Sequence, residues 1–293
     1  MKIPNKESLC GLLFISPTLL GFLVFFLGPI FAVLFLSFTR YDMFSAPESA
    51  GLANYAKLLT DSQLHKVYGN TFFFGTAAII LNVSLGLFLA ILVNQRLPAF
   101  LRYLLRTVYF FPVLVGMIYA ATVWKFLFNR DLGVINYYLH YIGVGPVSWL
   151  TSSQFALWSI ILVYMWKNVG FTMLTTLAGL QGIPQDIYEA AAIDGARPFA
   201  MLRKITIPLL SPVILFNVVI TLINTMQEFD SIVALTNGGP GNASRTVSLY
   251  IYEKAFRGLD MGYASAIAVT LFLVIALLTA LQFSLSRRWV HYS

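Results

Sequence analysis

Six long apolar stretches divide this chain, and each could cross about 30 Å of hydrocarbon as a helix. They run over Gly11–Phe38, Asn70–Val93, Thr107–Phe128, Phe155–Leu180, Leu209–Leu235 and Tyr263–Ser284. No water-soluble core could hide so much apolar surface. Of 293 residues, 58% are hydrophobic and 11% charged, and the mean hydropathy is +0.78, whereas a soluble chain carries about 25% charged residues. Lipid must cover the excess. The expected fold class is therefore all-α, a polytopic membrane helical bundle of six transmembrane helices.

The first stretch follows Lys2 and Lys6, as a secretory signal would, but its apolar run is too long for one and no small-residue cleavage pattern follows. It is expected to remain as an anchor. Pro17 and Pro29 within it are tolerated where neighbours satisfy the freed carbonyls. The net charge of +7 comes without a compact basic patch interleaved with exposed aromatics, which argues against nucleic acid. With the N-terminus inside, the inner segments hold Lys2, Lys6, Arg96, Arg102, Arg106, Arg197, Arg203, Lys204, Arg287 and Arg288. The outer ones hold Arg40, Lys57, Lys66, Arg130, Arg245, Lys254 and Arg257. The inner cations crowd short loops, where charge bias acts most strongly, so both termini are expected to be cytoplasmic. Trp149, Tyr137, Tyr138 and Tyr141 are placed near one membrane interface, as an aromatic belt.

Bond-making chemistry is not written in the chain. Cys10 stands alone and reads as a packing residue. His65, His140 and His291 are scattered, and no Gly-x-x-x-x-Gly-Lys-Ser/Thr loop or His-x-x-x-His pair occurs. No catalytic residue, metal site or cofactor is expected on this chain, and any ATP must be bound by another one.

The most polar inner segment lies between the fourth and fifth stretches, from Gln181 to Leu209. Pro184 suits a helix first turn, Gln185, Asp186 and Glu189 suit its positive N-terminal end, and Gly195 supplies a left-handed stop. Ile187, Tyr188, Ala191 and Ala192 share one face. Pro198 then opens a second short helix expected to end before Pro208. An apolar stripe too small for a core indicates docking onto a partner.

Glu189-Ala-Ala-Ala-Ile-Asp-Gly195 followed by Ile207-Pro208-Leu209 resembles the inner loop of binding-protein-dependent ABC importer permeases. The resemblance implies the type I importer architecture, with a cytoplasmic coupling helix seated in a cleft of an ATP-binding subunit. Glu189, Ala190, Ala191, Asp194 and Gly195 would take that role. A small departure is Ile207, where Leu often precedes the Pro. Phe229 through Pro240, Thr246–Tyr252, the opening Phe14-Ile-Ser-Pro-Thr18, Ser37–Tyr41 and Gly51–Tyr55 are similar to the maltose, glycerol-3-phosphate and oligosaccharide permeases, without the large outer insertion of the larger maltose-type subunit. That likeness implies a bacterial inner-membrane subunit for a carbohydrate or polyol phosphate. Its partners would be a second related permease, a dimer of ATP-binding subunits and an external solute-binding protein. The organisation implied is 1–68 for the anchor helix and first outer loop, 69–285 for the permease core and 286–293 for a cytoplasmic tail.

Polar residues that interrupt the spans are candidates for the solute path, because burying a charge in hydrocarbon costs about 2.5–3.5 kcal/mol on insertion scales. Lys167, Asn168, Glu228 and Asp230 are four such interruptions; Asn217, Asn224 and Glu228 are spaced to share one helical face, with Gln227 nearby and Asn70, Asn82 and Tyr164 as weaker candidates. A structural pair of Lys167 with Glu228 or Asp230 is an equal alternative. Gly238, Gly239 and Pro240 form a tight outer turn that could also meet the solute-binding protein. A proton-coupled transporter using Glu228 or Asp230, or a permease for peptides, are the rival functions. The first leaves the Glu189 loop without a purpose.

Overall fold

The computed structural model describes residues 6–95 and 97–291, so Lys2 and Arg96 of the charge argument lie outside the described residues. The chain divides into two compact units, Met1–Asp61 with Ile251–Phe272 and Ser62–Tyr250 with Leu273–Ser293.

In the first unit, α1 (Lys6–Phe22) and α2 (Gly28–Leu36) are joined by a five-residue π turn, Leu23–Leu27. Pro29 has no N–H for the preceding turn and crowds its carbonyl. The wider turn absorbs the misfit, with Gly28 N–H reaching Leu23 O. Cys10 is exposed here, against the packing role expected of it. Past Ser37 the chain makes a feature that the all-α reading did not contain. Strands β1 (Thr39–Arg40) and β2 (Glu48–Ser49) pair antiparallel, Thr39 opposite Ser49 and Arg40 opposite Glu48. Asp42 closes the turn between them, its Oδ1 accepting from Phe44 N at 3.0 Å and Ser45 N at 2.8 Å. Those amides, Ser45 first, hold its carboxyl below the usual carboxylate range. Buried Asn54 of α3 (Ala53–Thr60) donates to Ser37 O and Thr39 O at 2.9 and 2.8 Å. Lys57 pairs with Asp260 at 2.8 Å and lies 4.0 Å over the Tyr263 ring, whose hydroxyl donates to Asp61.

The second unit is built around α8 (Ala156–Gln181), which packs on α4 (Ser62–Asn94), α5 (Ala99–Leu114) and α11 (Ile207–Met226). Lipid gives no hydrophobic push between helices, so small residues and hydrogen bonds must hold them. A methyl on Gly86 of α4 would lie 2.8 Å from Thr172 Cβ. Asn82, one turn earlier, donates to Thr172 Oγ1 at 3.0 Å. Gly170 faces the backbone of α5 at Tyr109 and Phe110. This is helix glue, the role the small polar residues of the spans share with Asn82 here.

Two of the six expected spans are broken. The third is two helices, α5 and α6 (Met117–Leu127), meeting at 104°. Pro112 weakens the end of α5, and Val115 and Gly116 are extended, with ψ of 128° and 137°. The fifth ends at Met226, and α12 (Asp230–Leu235) starts afresh after three intervening residues. Among the described residues, five helices are long and apolar enough to cross a membrane, or six with the bent pair counted as one span. That six-span bundle is the expected one, with its third member bent. Between spans lie α7 (Val134–Tyr141), α9 (Gln185–Ile193) and α13 (Val247–Tyr252), α10 (Pro198–Met201) leads into α11, and α14 (Met261–Ser286) is the last span.

Candidate coupling and translocation site

The inner segment folds as a capped helix followed by a continuous lead into the fifth span. Pro184 is the N-cap of α9, with φ −56° and ψ 137°, one place earlier than expected. Its missing N–H costs nothing there. Asp186 occupies the first turn, and Gln185 Nε2 donates to Glu189 Oε1 at 2.8 Å. At the other end Gly195 sits at φ +77°. Its N–H reaches Ala192 O at 3.0 Å and that of Ala196 reaches Ala191 O at 2.9 Å. These two bonds make a Schellman stop, satisfying carbonyls the helix leaves open.

The second short helix does not end before Pro208. Instead α10 passes through a π turn, Leu202–Thr206, straight into α11, with Ile207 N–H on Leu202 O. As at Pro29, the wider turn accommodates a proline at the next helical start. Tyr188 of α9 bonds Thr206 of that turn, oxygen to oxygen at 3.1 Å, so α9 is tied to the base of the fifth span. Tyr188 and Ala191 are half-buried, while Glu189, Ala190, Asp194 and Gly195 are exposed. Ala192 and Ile187 face outward too, which narrows the inward stripe to Tyr188 and Ala191. Sequence reasoning passed over Ile193 and Phe199, which are 87% and 73% exposed. Large apolar side chains in an otherwise polar inner segment were the available signal. A cavity of about 720 Å³ opens beside Phe199, which lines it with Asn94, Gln95, Leu180 and Tyr188.

The path residues separate into two sets. Asn217 is 1% exposed and donates to Thr176 Oγ1 at 3.1 Å while accepting from Thr175 Oγ1 at 2.8 Å. It ties α11 to α8 and does not share an open face with Asn224. Glu228 lies beyond the end of α11, so the helical face expected for all three stops at Asn224. Its Oε1 accepts from Ser231 N at 2.9 Å, capping α12, and its carbonyl accepts from Thr246 Oγ1 at 3.1 Å. Neither expected ion pair to Lys167 forms. Lys167 Nζ instead donates to Val113 O at 3.3 Å, a carbonyl freed by the α5–α6 bend. A cation at a helix C-terminus is favourable for the same reason. Asn168 bonds back to Tyr164 O at 2.9 Å, and Tyr164 is buried in the α8 core. The exposed set is Asn224, Gln227 and Asp230, clustered at the break between α11 and α12.

Asn70 serves the outer loop, donating to Asn242 O at 2.8 Å and Arg245 O at 3.0 Å. The turn it holds has left-handed backbone at Asn237, Gly238, Gly241 and Asn242, with φ of 51°, 81°, 54° and 69°. Ser244 Oγ donates to Gly239 O at 2.6 Å and meets Thr236 Oγ1 at 2.7 Å. Gly238, Gly239 and Pro240 are thus fixed as a tight turn, as expected.

Comparison with known proteins places this geometry. The family described as binding-protein-dependent transport system inner membrane component matches residues 82–291. The probable ABC transporter permease protein YesP of Bacillus subtilis is 38% identical, covering 98% of this chain and 94% of its own. The trehalose/maltose transport system permease protein MalF of Thermococcus litoralis is 35% identical, covering 98% and 96%. Among solved structures, a bacterial ABC transporter involved in the import of the acidic polysaccharide alginate superposes with a TM-score of 0.85 at 23% identity, covering 97% of this chain and 96% of that one. At that identity the likeness is one of fold.

Proposed function

Because the chain belongs to the family of binding-protein-dependent transport system inner membrane components, we propose that it is the carbohydrate-conducting permease subunit of an ATP-driven importer. Full-length relatives named for sugar transport support the carbohydrate class. The chain works in the bacterial inner membrane with both termini cytoplasmic, performs no bond chemistry and binds no cofactor of its own. ATP is hydrolysed on a separate dimer of subunits, a second related permease completes the path, and an external binding protein delivers the solute.

The observation that carries this reading is the Schellman-capped α9 bonded through Tyr188 to Thr206 at the base of the fifth span. Glu189, Ala190, Ala191, Asp194 and Gly195 present that helix to the ATP-binding subunit, with Ile193 and Phe199 entering its cleft. ATP favours the closed arrangement of those subunits by differential binding. A rigid helix passes the displacement to α11. Asn224, Gln227 and Asp230 then offer hydrogen bonds to hydroxyls on the exposed side of the α11–α12 break. Non-helical backbone at membrane depth is tolerated where it lines such a cavity. Gly238, Gly239 and Pro240 meet the binding protein outside.

The test is ATPase activity of the assembled complex with loaded binding protein, comparing native chain with Glu189→Lys and Gly195→Val. Val is strained at φ +77°, and Lys reverses the exposed charge. Loss of stimulated hydrolysis in both, with normal membrane insertion, supports coupling through α9. Solute uptake by the chain alone under an ion gradient, indifferent to both changes, would select the proton-coupled transporter instead.

A further inference from the structure

The outer hairpin between α6 and α8 carries an apolar face that the transport reading does not use. One buried side chain organises it. Asn136 of α7, 6% exposed, donates to Arg130 O and Val147 O at 2.9 Å and to Asn129 O at 3.3 Å. Its Oδ1 accepts from Val147 N at 3.2 Å and Trp149 Nε1 at 3.0 Å. Asn129 follows the end of α6, and Trp149 packs on Phe128 with ring centroids 5.5 Å apart. Trp149 is therefore half-buried and serves as scaffolding for α7. The same contacts pin α7 to the segments that follow α6 and precede α8.

Around α7 the residues divide by chemistry. Asn136 and His140 fall on one side, while Ile135, Tyr138, Leu139 and Ile142 follow the i, i+3, i+4, i+7 spacing of a single stripe. Tyr138, Tyr141 and Ile142 are 66%, 71% and 73% exposed. Leaving such a patch in water costs about 25 cal/mol per Å², so something covers it. The stripe carries no charge, pairs tyrosines with aliphatics, and adjoins a span whose Ile118, Tyr119 and Val123 are exposed as lipid-facing side chains are.

We propose that α7 is an in-plane interfacial helix whose exposed Tyr138, Tyr141 and Ile142 lie in the outer leaflet while Ile135 packs on the protein core, holding the outer ends of α6 and α8 at the headgroup plane. Tyrosine suits that depth, its ring in the acyl boundary and its hydroxyl in the polar layer. Lipid rather than protein is favoured by continuity with the spans that α7 joins and by the uncharged stripe.

The experiment places a nitroxide at Ile142→Cys, and separately at Tyr141→Cys, in a Cys10→Ser chain assembled with its partner subunits in phosphatidylethanolamine–phosphatidylglycerol vesicles. Asp131→Cys serves as the aqueous control. Power saturation with oxygen and a nickel chelate should place both test labels about 5–10 Å below the headgroup level, with oxygen access exceeding nickel access and the control showing the reverse. Nickel access at positions 141 and 142 equal to the control would overturn the proposal. So would shielding from both reagents, which would mean a protein covers the stripe, whether the second permease or an added loaded binding protein.

Discussion

Replacing Gly170 with Ala should be among the more damaging single-methyl changes this chain can suffer. At that position α8 crosses α5 backbone to backbone. The added Cβ would lie 2.7 Å from the carbonyl carbon of Tyr109 and 2.8 Å from Phe110 Cα, with the Tyr109 oxygen closer still, whereas ordinary contact begins at 3.4 Å. No flexible side chain can yield, so α5 must retreat by roughly 0.7 Å or more, and overpacking of this kind costs about 1–3 kcal/mol. The retreat also stretches the bond from Lys167, one turn earlier on α8, to Val113 O, already 3.3 Å long. Gly69 of α4 is the control, because a methyl there meets nothing within 4 Å and Ala should be neutral or favourable by about 0.5–1 kcal/mol in a helix interior. Denaturation in mixed detergent micelles with increasing dodecyl sulfate, followed by far-ultraviolet circular dichroism, reads both. Gly170→Ala should unfold earlier than native chain and Gly69→Ala should not. Lys167→Met should add less to Gly170→Ala than to native chain, since both changes act on one contact. If Gly170→Ala matches the control, the close crossing of α5 and α8 is wrong.

Asn136→Ala should release the outer hairpin, because truncation strands several buried carbonyls and the Trp149 indole N–H. The expected loss is about 1–3 kcal/mol, seen as faster amide exchange across residues 129–149 with the inner helices unchanged. Gly238→Ala, at φ +81° and with Leu249 Cδ2 only 2.9 Å from the new methyl, should weaken capture of the loaded binding protein without lowering basal ATPase activity, measured as the concentration of binding protein that gives half-maximal stimulation. The Asp42 turn should depend on pH in one direction. Its folded carboxyl is depressed by Ser45 and Phe44 amides, so the stabilisation is full above the unfolded value near 3.9 and fades as pH falls through the folded one. Exchange of the Ser45 amide should quicken there, and Asp42→Asn should flatten the response.

Much of this protein is set by local sequence. The lengths of the apolar runs required spans, because no other solvent could cover them. The inner helix was readable from Pro184 to Gly195, since capping depends on residues only a few places apart, and the later Schellman bonds fall where Gly195 predicts them. What local pattern could not decide was where a span breaks and which polar side chains turn inward. Apolar runs from Thr107 to Phe128 and from Leu209 to Leu235 look continuous to any hydropathy count. Their breaks are held by partners distant in sequence: Lys167 on the Val113 carbonyl, and Thr246 on the carbonyl of Glu228. Asn217 and Glu228 have helical spacing with Asn224, yet hydroxyls of α8 engage the first and the Ser231 amide of α12 engages the second. In lipid an unpartnered polar group is costly, so a side chain's task is set by whichever helix lies alongside, and only the tertiary structure supplies that neighbour.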